Sequence, residues 1–346
     1  MRQTVTRLLF TAAAVAFAAV PLAAQRPVAP QKPAGQAAAP KPWAAPRTAD
    51  GQPDLQGVWN FSTITPLERP ADLAGREFLT DAEIAERQQR AEIAATDEAR
   101  PEDRNRDVSS AYNDFWWDRG TKVVATKRTS LVIDPSDGKI PPLTPEAQAR
   151  EAQRAERVRR QWGPEDFDLN DRCLVGFNAG PPIIPDAYNN NFQVFQTRDH
   201  VVIVNEMVHT ARIVPLDGRP HIGEAIKQWT GDSRGRWEGQ TLVVDTTNFN
   251  SQGRGLMGGF RGSGDENMHL VERFTRVSPD ILLYEFTVDD PTTYTKPWRV
   301  QLPTVKTDDR IYEYACHEGN YSLANMLSAA RAQEKAQDTP APEAAK

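Results

Sequence analysis

The chain has 346 residues, of which 47 are acidic and 41 are lysine or arginine, so its formal net charge at pH 7 is −6. Its basic residues form no cluster interleaved with aromatic rings, which argues against a nucleic-acid partner. Hydrophobic residues make up 39% of the sequence, and a chain of this length buries a sizeable core, in one large domain or two smaller units.

The two ends of the chain differ in composition from the part between them. Residues 1–24 have the parts of a secretory signal: Arg2 and Arg7, then an apolar stretch, then small residues before the cleavage point. Residues 25–46 are rich in proline and alanine and are interpreted as a linker. Residues 325–346 are poor in large apolar side chains, and we expect a tail that starts helical and ends disordered.

These ends predict the location of the protein. After the signal, no stretch is long and apolar enough to cross a bilayer, so we expect a periplasmic or secreted chain without a transmembrane span. In such an oxidising compartment, the two cysteines most simply form one disulfide, Cys173–Cys316. Two buried free thiols are the alternative.

The folded part, residues 47–324, is predicted to be a single domain with two helices. It opens with Gly57-Val58-Trp59, a G-x-W string at the start of a probable strand that is similar to the opening of lipocalin-type barrels. Thr80 and Glu83 have the spacing of a capping box, which predicts a helix to about residue 97. Thr144 and a proline after it predict a second helix to about residue 162.

Most of the remaining chain has the pattern of β-strands. Residues 229–240 contain three glycines and are interpreted as a turn, which leads into a buried strand. Regularly spaced strands with one polar face indicate an antiparallel sheet that closes toward a barrel or sandwich. We therefore expect a mainly β fold, an antiparallel lipocalin-like β-barrel with two peripheral helices and long loops. One or two strands are predicted within residues 122–134. From residue 192 onward the predicted strands are 192–197, 200–206, 210–215, 241–247, 267–276, 281–289, 298–305 and 310–316.

Two glycine motifs have weak support from their context. Residues 231–235 match G-x-S-x-G, but the nucleophile elbow needs a strand before Ser233 and a helix after it. Here residues 222–228 look helical and a turn follows, so a serine hydrolase is only a minor alternative. Residues 253–258 match G-x-G-x-x-G, but further glycines follow where a dinucleotide site needs a helix. We interpret that stretch as a lid or a plain loop.

Histidines and one carboxylate carry the main chemical hypothesis. His209 shares strand parity with Met207, Ala211 and Ile213, which predicts that it faces an apolar side. His269 begins a strand in which Glu272 lies on the apolar face, where a carboxylate must be paired or protonated. We assign His209 or His269 as a catalytic base and Glu272 as an acid. Separately bonded histidines and a Glu272–arginine salt bridge are the alternative, and no spacing supports a metal site.

Five strings resemble an uncharacterised family of secreted bacterial proteins over residues 46–320: RTSLVIDPSDGKIPPLTPEAQAR, TARIVPLDGRPH, GRWEGQTLVVDTTNF, HLVERF and VDDPTTYTKPW. The sequence departs from the family pattern at Asp232, where histidine is common, and at Gln240, where aspartate is common. The first departure weakens any mechanism that needs a fourth histidine. The resemblance implies that the motif positions are His209, Arg212, Asp217, His221, Trp237, Glu238, Asp245, His269 and Glu272.

Three functional classes follow. The first is a barrel that binds a small organic ligand in an aromatic-lined cavity. The second is a hydrolase, lyase or isomerase that uses His/Glu acid–base chemistry, with metal assistance left open. The third is a structural envelope protein. No cofactor is assigned. The predicted ligand-binding residues are Arg212, His221, Trp229, Trp237, Glu238, Tyr284 and Trp298.

Overall fold

The computed structural model describes residues 43–96, 117–160, 163–250 and 266–338. Over these ranges, no helix is long and apolar enough to cross a membrane. The predicted signal, most of the predicted linker and the G-x-G-x-x-G stretch lie outside them. The helices are α1 (Asp81–Ala94), α2 (Pro145–Arg160) and α3 (Tyr321–Asp338), and the strands are β1 (Gly57–Asn60), β2 (Val132–Asp134), β3 (Asn191–Gln196), β4 (His200–Asn205), β5 (Ala211–Pro215), β6 (Asp232–Glu238), β7 (Thr241–Thr247), β8 (His269–Arg276), β9 (Ile281–Asp289) and β10 (Trp298–Thr307).

The strands form one antiparallel sheet in the order β5-β4-β3-β1-β10-β9-β8-β7-β6, and β2 also pairs with β10. Burial alternates along β8 and β9, as period-two side-chain direction requires. The inner faces of these strands carry apolar and aromatic side chains that form one core. The mainly β, antiparallel architecture expected from the alternation is confirmed.

The two edge strands of the sheet, β5 and β6, lie side by side. A Cβ atom added to Gly235 of β6 would come within 2.8 Å of Val214 and 2.6 Å of Leu216. Within the described ranges, however, no hydrogen-bonded ladder joins β5 to β6. The sheet therefore curves until its edges touch through side chains, and the closed barrel stays a prediction.

The G-x-W tryptophan is fully buried in this core. Trp59 Nε1 donates a hydrogen bond of 2.9 Å to the Leu55 carbonyl oxygen. The guanidinium of Arg276, at the end of β8, lies 5.6 Å from the centre of the Trp59 ring. The start of the chain's folded part is thus fixed to the end of β8.

Residues 163–190 have little regular structure but enter the core. Ile183 and Ile184 are buried, and the Ile183 backbone N–H donates to the Tyr284 hydroxyl at 3.0 Å. The predicted disulfide is confirmed: Cys173 is bonded to Cys316, 143 residues further along the chain. This segment is therefore anchored both to the sheet and to the stretch before α3.

The helix predictions were right in position. Thr80 and Glu83 form the capping box of α1, and the Thr144 hydroxyl accepts a hydrogen bond of 3.1 Å from the third residue of α2. A third helix, α3, begins before the predicted tail.

Several strand-region predictions were wrong. Residues 232–238 form β6 rather than part of a turn, and the reversal is at Gly239, whose φ is 64°. Residues 222–228 are not helical, and residues 310–316 are not a strand.

Candidate active site

Four titratable side chains form a continuous hydrogen-bonded chain on the outer face of β6, β7 and β8. His221 Nδ1 lies 2.9 Å from Asp232 Oδ2, and His221 Nε2 lies 3.0 Å from Asp245 Oδ1. The other oxygen of Asp245 lies 3.0 Å from His269 Nε2. We call Asp232, His221, Asp245 and His269 the histidine–aspartate chain.

Strand register explains why three of these residues meet. Asp232 pairs with Thr247, and Asp245 pairs with Arg234 and Val271, so that Asp232, Asp245 and His269 share one face of neighbouring strands. His221 is not on a strand. It lies in the connection between β5 and β6, which brings its ring between the two carboxylates.

Asp232 is the anchored end of the histidine–aspartate chain. Its Oδ1 accepts a hydrogen bond of 2.7 Å from Arg234 Nη1. Its Oδ2 also accepts a hydrogen bond of 3.1 Å from the Ile222 backbone N–H. Arg234 in turn donates to the Pro220 carbonyl oxygen. These contacts fix both the carboxylate and the connection that carries His221.

His221 links two carboxylates through both of its ring nitrogens. His221 therefore holds Asp245 in place from one side, leaving the other oxygen of that carboxylate for His269.

His269 is the exposed end of the chain, with 43% of its side chain accessible. The hydrogen bond to Asp245 raises the pKa of His269 against the opposing effect of partial burial, and the charges of Asp245 and Asp289 raise it further. The same hydrogen bond lowers the pKa of Asp245. Since Nε2 faces a carboxylate, the neutral ring carries its proton there, and no described residue bonds Nδ1. With respect to the described residues, Nδ1 is the ring nitrogen left to act as a base.

Glu272, the predicted catalytic acid, lies in the core, on the apolar face of β8 where strand parity placed it. It has no accessible surface, and Arg212 binds it through both guanidinium Nη atoms, with Nη2 at 3.0 Å from Oε1. The Tyr284 hydroxyl donates to Glu272 Oε1 at 2.8 Å, and burial raises the pKa of Tyr284 well above its ordinary value. This buried Glu272–Arg212–Tyr284 cluster matches the salt-bridge alternative.

His209, the other predicted base, points outward. It ends a short 3-10 turn, Met207–His209, in which Val208 and His209 have φ values of 57° and 40°. The turn shifts the alternation of buried and exposed side chains by one residue between β4 and β5. As a result, Arg212 is buried and Ile213 is 63% exposed. The prediction that His209 faces an apolar side was wrong, and its Nδ1 lies 3.3 Å from the Tyr314 carbonyl oxygen.

The predicted ligand-binding residues lie in three different places. Tyr284 and Trp298 are buried, each with an aromatic ring about 6 Å away. Trp229 and Trp237 pack half-buried against the same core. Glu238 is exposed at the end of β6, where Arg273 and Arg236 bind it and lower its pKa. Of that set, only His221 belongs to the histidine–aspartate chain.

Two further points concern the alternatives. Ser233 is buried within β6 and hydrogen-bonded to Thr246 at 2.9 Å, and His269 bonds Asp245 instead of this serine. Over the described ranges, no group of three or more His, Cys, Asp or Glu side chains is arranged to hold a metal ion.

Sequence patterns missed the contribution of Asp232 and Arg234. Both fall in the stretch that was interpreted as a turn, and the alternation of Asp232, Arg234 and Arg236 was the signal for a strand.

A comparison with protein-family models, curated proteins and solved structures finds no match to the chain.

Proposed function

We propose that the chain is an exported enzyme that catalyses proton transfer on a small molecule, with His269 as the general base. The observation that carries the proposal is the orientation of His269: Nε2 is held by Asp245 and Nδ1 meets no described residue. A carboxylate behind an exposed imidazole fixes the tautomer and stabilises the imidazolium that forms when the base takes a proton.

The other members of the histidine–aspartate chain act as positioning residues. Asp245 orients His269, and His221 orients Asp245. Asp232 and Arg234 hold His221 from behind. A base that is held by hydrogen bonds in this way keeps its position and orientation when it gains or loses a proton. Elimination, isomerisation and hydrolysis by an activated water all need such a base.

Export is supported by the pattern of residues 1–24 and by the disulfide, which forms in oxidising compartments. The closed lipocalin-like barrel, its aromatic ligand cavity and the family resemblance stay predictions beside this proposal. The enzyme reading is favoured over ligand binding because the aromatic side chains Tyr284 and Trp298 contact other core rings, whereas His269 is exposed.

The base is tested with 5-nitrobenzisoxazole, a probe that reacts when a base removes its C–H proton. The electron pair of that bond forms the nitrile, the N–O bond breaks, and the coloured phenoxide is released. We expect the chain to accelerate this elimination above an equal concentration of imidazole. His269→Gln should lower the rate by about tenfold or more.

His200→Gln is the matched control, because His200 is a partly exposed histidine at the start of β4, away from the histidine–aspartate chain. It should leave the rate unchanged. Asp245→Asn should move the midpoint of the pH–rate profile to lower pH, since it removes the carboxylate that raises the pKa of His269. Equal rates for the wild type, His269→Gln and His200→Gln would overturn the proposal.

A further inference from the structure

A second carboxylate, that of Asp289, lies beside His269 on the strand opposite to Asp245. His269 is the first residue of β8 and pairs with Asp289, the last residue of β9. Cross-strand partners in an antiparallel ladder have Cβ atoms about 5 Å apart on the same face of the sheet. Both residues lie on the outer face, where Asp289 is exposed. The exposed end of the histidine–aspartate chain therefore has one carboxylate on β7 and one on β9.

The two carboxylates are related to His269 in different ways. Asp245 is bonded to His269 Nε2 at 3.0 Å, and its other oxygen lies 3.0 Å from His221 Nε2. Both oxygens of Asp245 are therefore engaged. Among the described residues, the His269 ring bonds Asp245 and not Asp289, which acts on the ring through its charge. The exposed Asp289 carboxylate can thus meet a molecule that approaches the base.

The basic side chains on the outer face of β6, β7 and β8 are bound to carboxylates. Arg234 donates to Asp232 at 2.7 Å, and Arg273 donates to Glu238 at 2.9 Å. Arg236 donates to the other oxygen of Glu238 at 3.0 Å. Each of these positive charges is balanced within the sheet, and none of the three pairs includes Asp289.

The charges beside the base favour a cation. Among the described residues, the charged groups that act on His269 are the carboxylates of Asp245 and Asp289. Lys227, in the connection before β6, donates to the Glu266 carbonyl oxygen at 3.2 Å rather than to a carboxylate. A positively charged group at this place is attracted by the two carboxylates, whereas an anion is repelled by them.

We propose that the substrate of this site carries a cationic N–H group, an ammonium or an amidinium, which Asp289 binds beside the base. A carboxylate accepts two parallel N–H donors from an amidinium in the same fork geometry that it forms with arginine. This charge class rests on the proposed function, because His269 is the base that acts on the bound molecule.

The charge class is tested by calorimetric titration of the full chain with benzamidinium chloride and with sodium benzoate, two probes of similar shape and opposite charge. We expect saturable binding of one benzamidinium and at least about tenfold weaker binding of benzoate. Asp289→Asn should weaken benzamidinium binding by about tenfold or more, because it removes a charged hydrogen-bonding partner. Benzamidinium should also shift the ¹⁵N resonances of the His269 ring, which would locate the probe beside the base.

Asp280→Asn is the matched control, because it removes an exposed aspartate at the opposite end of β9. It should bind benzamidinium like the wild type. His269→Gln should still bind benzamidinium, since Asp289 remains, so that binding is measured separately from proton transfer. Elimination of 5-nitrobenzisoxazole without benzamidinium binding would overturn the charge class alone. Equal affinity for benzamidinium and benzoate, or unchanged affinity in Asp289→Asn, would overturn it as well.

Discussion

Asp245 is the residue that joins the two histidines of the candidate site. Each of its oxygens faces one ring, at 3.0 Å in both cases. The hydrogen bond with His269 raises the pKa of that histidine and lowers the pKa of Asp245. Because both side chains are partly exposed, 43% for His269 and 28% for Asp245, solvent screens the pair, and its effect is better detected through pH dependence than through total stability.

The sign of that pH dependence follows from the two pKa shifts. The raised pKa of His269 stabilises the fold below its unfolded value of about 6.5, and this contribution is lost as the pH rises through the folded pKa. The lowered pKa of Asp245 stabilises above about pH 4, and its contribution is lost as the pH falls. Urea unfolding should show the largest advantage of the wild type over His269→Gln between these limits. A pH-independent difference would contradict the pairing.

The buried ion pair of Glu272 and Arg212 makes a stronger prediction at the same scale. Glu272→Gln keeps the shape of the side chain but leaves the buried charge of Arg212 without its partner. Removing one member of such a pair costs about 3–5 kcal/mol in free energy of unfolding, measured by urea denaturation.

A double variant separates the cost of an orphaned charge from the value of the pair. Replacing both residues by apolar ones, Arg212→Met with Glu272→Leu, should destabilise less than Glu272→Gln alone. If the double variant loses as much as the sum expected from two independent losses, the charge-pairing explanation is wrong.

Among the elements, β6 is the strand that the sequence pattern did not predict. Gly231, Gly235 and Gly239 look like turn residues, yet only Gly231 and Gly239 have positive φ. Gly235 lies inside the strand, where the close approach of Val214 and Leu216 leaves no space for a side chain. A glycine required by packing and a glycine required by a turn look the same in a sequence.

Gly235→Ala tests this explanation. The added methyl group would lie 2.6 Å from a Leu216 carbon and 2.8 Å from a Val214 carbon, so these side chains or the backbone of β6 must shift. We expect a loss of about 1–3 kcal/mol in free energy of unfolding. Gly223→Ala is the control, since nothing lies within 4 Å of its added Cβ, and it should change stability by less than about 0.5 kcal/mol. Equal effects of the two variants would contradict the packing explanation.

For the molecule as a whole, sequence patterns predicted the elements whose positions depend on one rule about neighbouring residues. The caps at Thr80 and Thr144 located α1 and α2, the alternation of Leu282 to Val288 located β9, and two cysteines left one possible disulfide. Strand parity also placed Glu272 inward.

Contacts between distant segments were not predictable from such rules. The pairing of Glu272 with Arg212 depends on the curvature that brings β5 across the core from β8. The position of His221 depends on a connection without regular structure, and the direction of His209 depends on the positive φ of Val208. The candidate site therefore emerged from tertiary geometry, although His221, Asp245 and His269 were each visible as motif residues.

The disulfide is the main covalent constraint on this long-range arrangement. Replacing Cys173 and Cys316 together by alanine should cost about 5 kcal/mol in the chain-entropy model, because the closed loop spans 143 residues. Calorimetry should show a melting temperature lower by about 10 °C or more. Reduced wild type is the control and should melt like the variant. An unchanged melting temperature in both would show that residues 163–190 hold their place without the bridge.

The central claim is that Asp245 presents His269 as a base through Nδ1. The most direct measurement is a ¹⁵N NMR titration of the histidine rings in the wild type and in Asp245→Asn. The wild type should show His269 with a pKa above about 6.5 and, when neutral, with its proton on Nε2. Asp245→Asn should lower that pKa. A neutral ring protonated on Nδ1, or a pKa that is the same in both proteins, would contradict the account.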